Sequence, residues 1–312
     1  MTKRNKFLSS LKNYAVIAVV TLLVLTLSGT LPKYIKRFEN ALEYSRAFSS
    51  VPSEGELYLH IIDVGQGDAA LIKSSAGNIL IDTGTDDSED TLVAHLRGSG
   101  VKRVDYLICS HVHSDHIGGI DAVFENFEVG TLIIPKTEPS KSDPNIVLLS
   151  YPEIAKITVN PSRGDVFTLG EITIIALAQE DMFDDYNDTS LVVKISLGES
   201  ALLFTGDISS KIERELMDTY RNGELDCDFL KVAHHGSSTS TSADFVSAVT
   251  PDYASISCLE YNSYGHPHYA VLERLSNGGC DNILRTDKLG SVILLCNEGQ
   301  ITVVATEELC SD

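Results

Sequence analysis

The chain has 312 residues, enough for one large domain or two small ones around a proper core. Its hydrophobic fraction of 43% is that of a folded protein, and its formal net charge of −20 argues against nucleic-acid binding spread over the whole surface. Six cysteines, Cys109, Cys227, Cys258, Cys280, Cys296 and Cys310, contain no CxxC pair, which argues against a cysteine zinc knuckle, and their spacing assigns no disulfides.

Residues 1–13 form a basic flank carrying Lys3, Arg4, Lys6 and Lys12. Residues 14–31 are uncharged and apolar, about the length that crosses a bilayer as a helix. Lys33, Lys36 and Arg37 follow, with no clear A-x-A cleavage site, so a transmembrane anchor is preferred over a cleaved signal segment. The slight charge bias leans towards an inside N-terminus and an extracytoplasmic domain, or a secreted one if the segment is cleaved. Residues 32–55, with "ENALEYSRAFSSVPSEG", read as a linker or short helical stalk before a domain over 56–312.

Within that domain "ELYLHIID" and "DAALIKS" are strands joined by the hairpin signal "VGQG". "NILIDTG" is a third strand, ending in Asp82, and "SEDTLVAHLRGSG" is a capped helix stopping at glycine. "DYLICS" is a buried strand that leads into His111, after which "HIGGIDAVFEN" resumes helical spacing. "GTLIIP", "EITIIAL", "SLVVKIS" and "ALLFTGD" are strand-like, "ISSKIERELMDTYR" is an amphipathic helix, and "DFLKVAHHGSS" is a strand then a loop. The tail adds strands at "PDYASIS", "NILRT", "SVILLC" and "ITVVAT", with a helix near "YAVLERL". This mixture predicts an α/β fold of two stacked sheets flanked by helices.

"HVHSDHIGG" places His111, His113, Asp115 and His116 within six positions. Side chains two apart share one face of an extended chain, so His111, His113 and Asp115 can converge. His116 has the opposite parity, so a bend there would let it serve a second metal. Imidazole and carboxylate suit zinc, and also manganese or iron. Asp207 ends the strand "LLFTGD", and His234 and His235 end "LKVAHH". Asp82, another strand-end acid, is expected to orient a ligand histidine. Asp68, in the first hairpin, is expected to support the metal loop.

His111-x-His113-x-Asp115-His116, then a strand ending in Thr205-Gly206-Asp207, then a strand ending in histidine, resembles the metallo-β-lactamase fold superfamily. "HIIDVGQGDAALIKSSAGNILIDTG", "DTSLVVKISLGESALLFTGDI", "LKVAHHGSSTSTS", "YGHPH" and "RTDKLGS" resemble the extracytoplasmic hydrolase domain of the competence DNA-uptake channel family, over about residues 56–304. Secreted relatives with similar motifs include cell-wall phosphorylcholine esterases. The resemblance implies a four-layer αββα sandwich and two divalent ions, zinc or manganese. His111 and His113 would hold one ion; Asp115, His116 and one histidine of the His234–His235 pair, with His235 preferred, would hold the other; Asp207 would bridge both. Many superfamily members supply a further histidine where this chain reads "YNDTS", with Asn187 or Asp188. A centre that is mononuclear as isolated, and one that prefers manganese, both stay open. The channel needs many membrane helices, so a pore is not expected of a chain with one apolar run.

Two ions bring four positive charges; Asp115, Asp207 and a hydroxide remove three, so the site would stay positive and attract a phosphate. Metal binding lowers the pKa of water from about 15.7 to roughly 7, making hydroxide available at neutral pH. The expected activity is phosphodiester hydrolysis with Asp115, His234 and His266 catalytic, and His234, His266 and Ser237 touching a substrate such as DNA or a cell-wall polymer. Ser238 stands beside Ser237 with a loop role as the alternative. Pro267 suggests a helix start that would offer N–H groups to an anion. His268 is expected to be structural, as are Thr286, Asp287 and Gly290 through turn chemistry. Asp181, Asp184, Asp185 and Asp188 fit no EF-hand and are expected to form a solvated loop. The competing readings are a phosphorylcholine-type esterase on wall polymers and a non-catalytic, metal-stabilised surface binding module. No protein partner is indicated.

Overall fold

The computed structural model of the chain describes residue 42 and residues 44–136, 148–177 and 186–307. The basic flank, the apolar run 14–31 and the stalk as far as residue 41 lie outside the described residues, as do Asp181, Asp184, Asp185 and Cys310. Among the described residues no helix is long and apolar enough to cross a membrane.

Among the described residues fifteen short strands build two sheets. The first has the order β15 (Gln300–Thr306), β14 (Val292–Asn297), β1 (Glu56–Ile61), β2 (Ala70–Ser74), β3 (Gly77–Ile81), β4 (Arg103–Ile108), β5 (Glu128–Ile133), β6 (Thr158–Val159). The second has the order β13 (Asn282–Arg285), β12 (Tyr253–Ile256), β11 (Phe229–Lys231), β10 (Ser200–Phe204), β9 (Val193–Leu197), β8 (Ile172–Ala176), β7 (Val166–Leu169). The alternation of Leu57, Leu59 and Ile61 on β1, and of Ile172 and Ile174 on β8, turns one apolar row of each sheet inward. These rows meet Ile72, Ile79, Val193, Ile195, Leu202 and Phe229 in a core between the sheets.

The outer faces are covered by helices. Glu89–Gly98 and Ile120–Asn126 pack on the first sheet through Leu92, Leu96, Ile120 and Val123. Ser210–Thr219, Ala243–Val249 and Tyr269–Asn277 cover the second through Ile212, Leu216, Phe245, Val246 and Val271. The layers therefore run helix, sheet, sheet, helix, as the sequence predicts.

Two local expectations are corrected. The helix after "SED" does not take a side-chain cap from Ser88, whose hydroxyl donates to the Thr85 carbonyl at 2.7 Å instead. The helix after "YGHPH" begins at Tyr269 rather than at Pro267, with His268 at its N-cap position. Of the expected linker or short helical stalk, residues 44–49 are helical, Ala47 is buried, and Lys73 Nζ donates to the Phe48 carbonyl at 3.1 Å. Cys109, Cys227, Cys258, Cys280 and Cys296 are buried free thiols.

What positions the site is the parallel part of each sheet. β3 and β4 run parallel with Ile81 beside Ile108, so Asp82 and the loop beginning at Ser110 emerge together. β10, β11 and β12 run parallel with Phe204 beside Lys231 and Lys231 beside Ser255, so Asp207, the His234–His235 loop and Ser257 emerge together. Loops at the carboxyl ends of neighbouring parallel strands share one edge of the sheet, which is why distant segments meet there.

Candidate metal centre

The loop after β4 bends as the parity of its ligands requires. His113 is extended and Ser114–Ile117 forms one helical turn, which brings His116 back beneath His111 with ring centroids 4.2 Å apart. Gly118 fits the turn because a Cβ there would lie 2.4 Å from the Asp86 backbone nitrogen and the Ser114 carbonyl oxygen. The first hairpin supports the loop directly: Asp68 N donates to the Asp115 carbonyl at 3.0 Å, and a Cβ on Gly67 would lie 2.5 Å from that same oxygen.

The side chains converge on one buried volume. His111 Nε2 lies 3.1 Å from His113 Nδ1. His116 Nε2 faces Asp207 Oδ1 at 3.3 Å, and His235 Nε2 faces Asp115 Oδ2 at 3.4 Å and Asp207 Oδ2 at 3.7 Å. Asp207 thus stands between His116 and His235. His111, His116, Asp207 and His235 are each no more than 2% exposed. His234 is more open, its side chain 28% exposed, with Nε2 3.8 Å from Asp207 and its ring 5.7 Å from that of His266. His234 and His235 both have positive φ, as does Asp82. Such backbone costs on the order of 1–3 kcal/mol per residue and persists where surrounding contacts over-determine it.

Two of the imidazoles, those of His116 and His235, are fixed from behind. His116 Nδ1 donates to Asp82 Oδ2 at 2.9 Å, and Asp82 also accepts from Ser110 N at 2.7 Å and Ser110 Oγ at 2.8 Å. His235 Nδ1 donates to the Ser257 carbonyl at 2.9 Å. With Nδ1 engaged in this way, Nε2 is the nitrogen turned towards the centre, the one that a bound metal would take in place of a proton. Ser190 Oγ, which the sequence did not single out, accepts from Asp207 N at 3.0 Å.

Charge follows this geometry. Burial opposes the imidazolium of His116, but Asp207 and Asp82 outweigh it and raise its pKa well above the ordinary value. His235 is raised in the same way, burial being outweighed by Asp207 and Asp68. Asp207 is pulled well down, burial being outweighed by His116 and His235. Burial lowers His234, and burial together with His235 and His234 lowers His266 to about 4.

The residues fit a divalent cation. His116 Nε2, His235 Nε2 and Asp207 Oδ1 are buried with no hydrogen-bond partner, and all three face the same space. An unmet buried polar group costs about 1–3 kcal/mol, so three in one place mark where a ligand for them belongs. One ligand atom from each of Asp68, His116, Asp207 and His235 lies within 4.8 Å of the others.

Other candidates are placed differently. Asp68 Oδ2 lies 2.5 Å from Lys231 Nζ, a buried ion pair at the floor of the site. Lys231 carried no weight in the sequence, although a lysine inside the apolar run "DFLKVA" was its signal. Burial works to lower its ammonium pKa, but Asp68 and Asp207 outweigh that and keep it above the usual value. Ser237 is buried, its hydroxyl paired with Thr239 Oγ1 at 2.9 Å and its amide donating to the His234 carbonyl at 2.8 Å, so both groups have partners within the loop. His268 Nδ1 accepts from Ser238 N at 2.9 Å, a structural bond as expected. Thr286 Oγ1 bonds both the amide and the carbonyl of Cys258, and Asp287 pairs with Arg285 at 2.7 Å. Asp188 Oδ1 accepts from Ser209 N at 3.1 Å, and the Tyr186 ring stands edge-on to His113 at 5.9 Å.

A family model described as "Metallo-beta-lactamase superfamily" matches residues 62–258. ComE operon protein 3 of Bacillus subtilis (strain 168) is 32% identical over 264 residues, covering 78% of this chain and 33% of that protein. Competence protein ComA of Neisseria gonorrhoeae is 33% identical over 240 residues, covering 77% of this chain and 32% of that protein. The chain thus spans about a third of the length of these curated relatives. Among solved structures, a variant of CmlA beta-hydroxylase superposes with a TM-score of 0.51 at 14% identity, covering 78% of this chain and 54% of that one, a likeness of fold alone.

Proposed function

This chain belongs to the metallo-β-lactamase superfamily, and on that premise we propose that its metal-dependent hydrolase site acts on phosphodiesters outside the cytoplasm. The observation that carries the reading is the set of orphaned, convergent atoms His116 Nε2, His235 Nε2 and Asp207 Oδ1. His111 and His113 would hold one ion, Asp115, His116 and His235 the other, with Asp207 between them. Bound divalent ions lower the pKa of water and brace the oxygens of an in-line displacement.

The chain's own residues supply the rest. Asp82 and the Ser257 carbonyl hold His116 and His235 in the tautomer that presents Nε2. Burial of the Asp115 carboxyl is outweighed by its contacts with His235 and His116, which hold it well below the usual range. It therefore stays anionic. His234 and His266, their rings 5.7 Å apart and His234 part-exposed, would contact an entering phosphate. His266 is neutral at neutral pH, so it serves as a hydrogen-bonding group rather than as an imidazolium acid.

Charge favours a phosphate over a neutral amide. Asp115 and Asp207 cancel two of the four charges that two divalent ions would bring, leaving a positive pocket in a protein of net charge −20. Tyr261 and Tyr264, 94% and 65% exposed, lie on the loop that leads to His266, and the Tyr264 ring stacks on His266 at 5.5 Å. Exposed aromatic faces suit the planar bases of a single strand. They also suit a quaternary ammonium, which favours phosphorylcholine esters as the second reading. The apolar run 14–31 and the competence-protein relatives support a membrane-anchored domain facing outwards.

The test is turnover by the full chain, with zinc or manganese, of bis-p-nitrophenyl phosphate, single-stranded DNA and p-nitrophenylphosphorylcholine. Hydrolysis of the first two supports the leading reading, and preference for the third supports the second. Metal binding without turnover of any substrate supports a binding module. Turnover that survives both Asp207→Ala and His111→Ala rules out this centre as its source.

A further inference from the structure

We propose that Lys231 is a positioning residue that holds the Asp68 carboxylate out of the metal coordination sphere, which keeps the centre open and positive for an anionic substrate. The proposal rests on the metal-centre reading above and assigns a role that neither residue's backbone contacts require.

Asp68 lies within reach of the centre: one of its oxygens belongs to the group in which ligand atoms of Asp68, His116, Asp207 and His235 are all within 4.8 Å of one another. Its oxygens also lie 3.8 Å from His116 Nδ1 and from His235 Nδ1, behind the two rings. Neither imidazole can hold it there: His116 Nδ1 is committed to Asp82 at 2.9 Å, and His235 Nδ1 to the Ser257 carbonyl at 2.9 Å. Neither Asp68 oxygen has a hydrogen-bond partner of ordinary geometry among the described residues, yet both are buried. The close counter-charge is the Lys231 ammonium at 2.5 Å, itself anchored on the Val232 carbonyl at 2.8 Å.

Packing does not immobilise the carboxylate either. A cavity of about 20 Å³ lies against it, lined by Asp68, Asp82, Ser110, Lys231, Ser255 and Ser257 among others. That is room for about one water molecule, and it leaves the carboxylate space to turn. The ion pair is therefore what fixes its direction. Strand register makes the arrangement rigid, because Lys231 lies between Phe204 on β10 and Ser255 on β12, and the Asp68 carbonyl accepts from Gly84 N at 2.8 Å. Were the ammonium absent, a bare buried carboxylate would stand beside two metal-ligating imidazoles. Its cheapest neutralisation would be to join the metal, since an unpaired buried charge is strongly unfavourable. A third aspartate on the ions would cancel the positive charge that attracts phosphate and would fill a position that water or substrate needs.

The test compares the wild-type full chain with Lys231→Met and with the double variant Lys231→Met, Asp68→Asn. Metal affinity is read by chelator competition, metal content by elemental analysis, and turnover with bis-p-nitrophenyl phosphate. Lys231→Met is expected to bind zinc or manganese more tightly while turnover falls about 10–100-fold, the range for groups that tune metal ligands from behind. The double variant is expected to return metal affinity to within a few-fold of wild type, because its amide is not a competing ligand. Unchanged or weaker metal binding by folded Lys231→Met overturns the proposal, since a structural role alone gives that result. If Lys231→Met does not fold, the double variant decides: retained metal supports the lock, and a loss of about tenfold or more shows Asp68 to be a ligand and overturns it. A wild type that binds no metal overturns the metal-centre reading itself and the lock with it. A metal-binding wild type whose double variant loses metal overturns the lock alone.

Discussion

His116 Nδ1 lies 2.9 Å from Asp82 Oδ2, and this one bond sets which nitrogen of a wholly buried imidazole faces Asp207. Asp82 can occupy its place because it tolerates a positive φ. Asp82→Asn keeps that backbone and the shape but loses the charge that orients His116. We expect metal affinity to fall about 10–100-fold with little change in secondary structure, read by chelator competition and circular dichroism. Wild-type affinity in Asp82→Asn would show that the bond does not govern the ligand.

The two adjacent histidines should separate by function. His235 is buried with Nε2 towards Asp115 and Asp207, whereas His234 stands at the opening near His266. His235→Ala is expected to lose one metal equivalent and all measurable turnover. His234→Ala is expected to keep its metal content while turnover falls about 10–100-fold or more, as for a positioned side chain. Elemental analysis of both variants checks this, and metal loss on the His234 side alone would reverse the assignment.

Metal removal should cost stability as well as activity. Binding to the folded state alone stabilises by about 2.7 kcal/mol at a free metal concentration a hundred times Kd. The apo site leaves buried Asp68, Asp82 and Asp207 close together, with Lys231 and protonated imidazoles as the positive charges set against them among the described residues. A chelator is expected to lower the thermal midpoint, and zinc or manganese to restore it. A midpoint indifferent to both would mean that the ions do not bind the folded chain there.

A second histidine pair predicts acid sensitivity away from the metal. His60 Nδ1 lies 3.0 Å from His95 Nε2, both are buried, and the Phe48 ring caps them at 5.9 and 4.7 Å. Burial, then Lys73, lowers His95 to about 3, and burial, His95 and Lys73 push His60 well below its ordinary value. Both are thus neutral when folded and take up protons near pH 6.5 when unfolded. Their contribution to stability is complete above about pH 6.5 and is lost as pH falls from there towards about 3, by up to roughly 1.4 kcal/mol per proton per unit. Urea midpoints of metal-free protein should fall over that window, and His95→Phe should flatten the slope. An equal slope in both proteins would assign the sensitivity elsewhere.

Much of the fold and of the site was legible in the sequence. The strand signals at Glu56–Ile61, Ala70–Ser74 and Val292–Asn297 and the helix Ser210–Thr219 follow local apolar periodicity, which the chain carries without help from its neighbours. The two-residue strand Thr158–Val159 and the edge strand Val166–Leu169 carry too little pattern to be seen, and their pairing partners define them. The helix start at Tyr269 is likewise displaced from Pro267, with His268 at the N-cap position and its ring accepting from Ser238 N.

The sequence by itself determined the chemistry on offer: which imidazoles and carboxylates stand at strand ends, in what order, and that a six-residue segment can gather four of them. Side-chain type and short-range parity are local properties, so they can be read from letters. Only the tertiary structure decided which nitrogen of His116 and of His235 faces inwards, that His235 rather than His234 is enclosed, that the Ser237 hydroxyl pairs with Thr239 in its own loop, and that Lys231 sits against Asp68. Those choices depend on the register between strands far apart in the chain and on what each buried polar atom finds within about 3 Å, which no local pattern encodes.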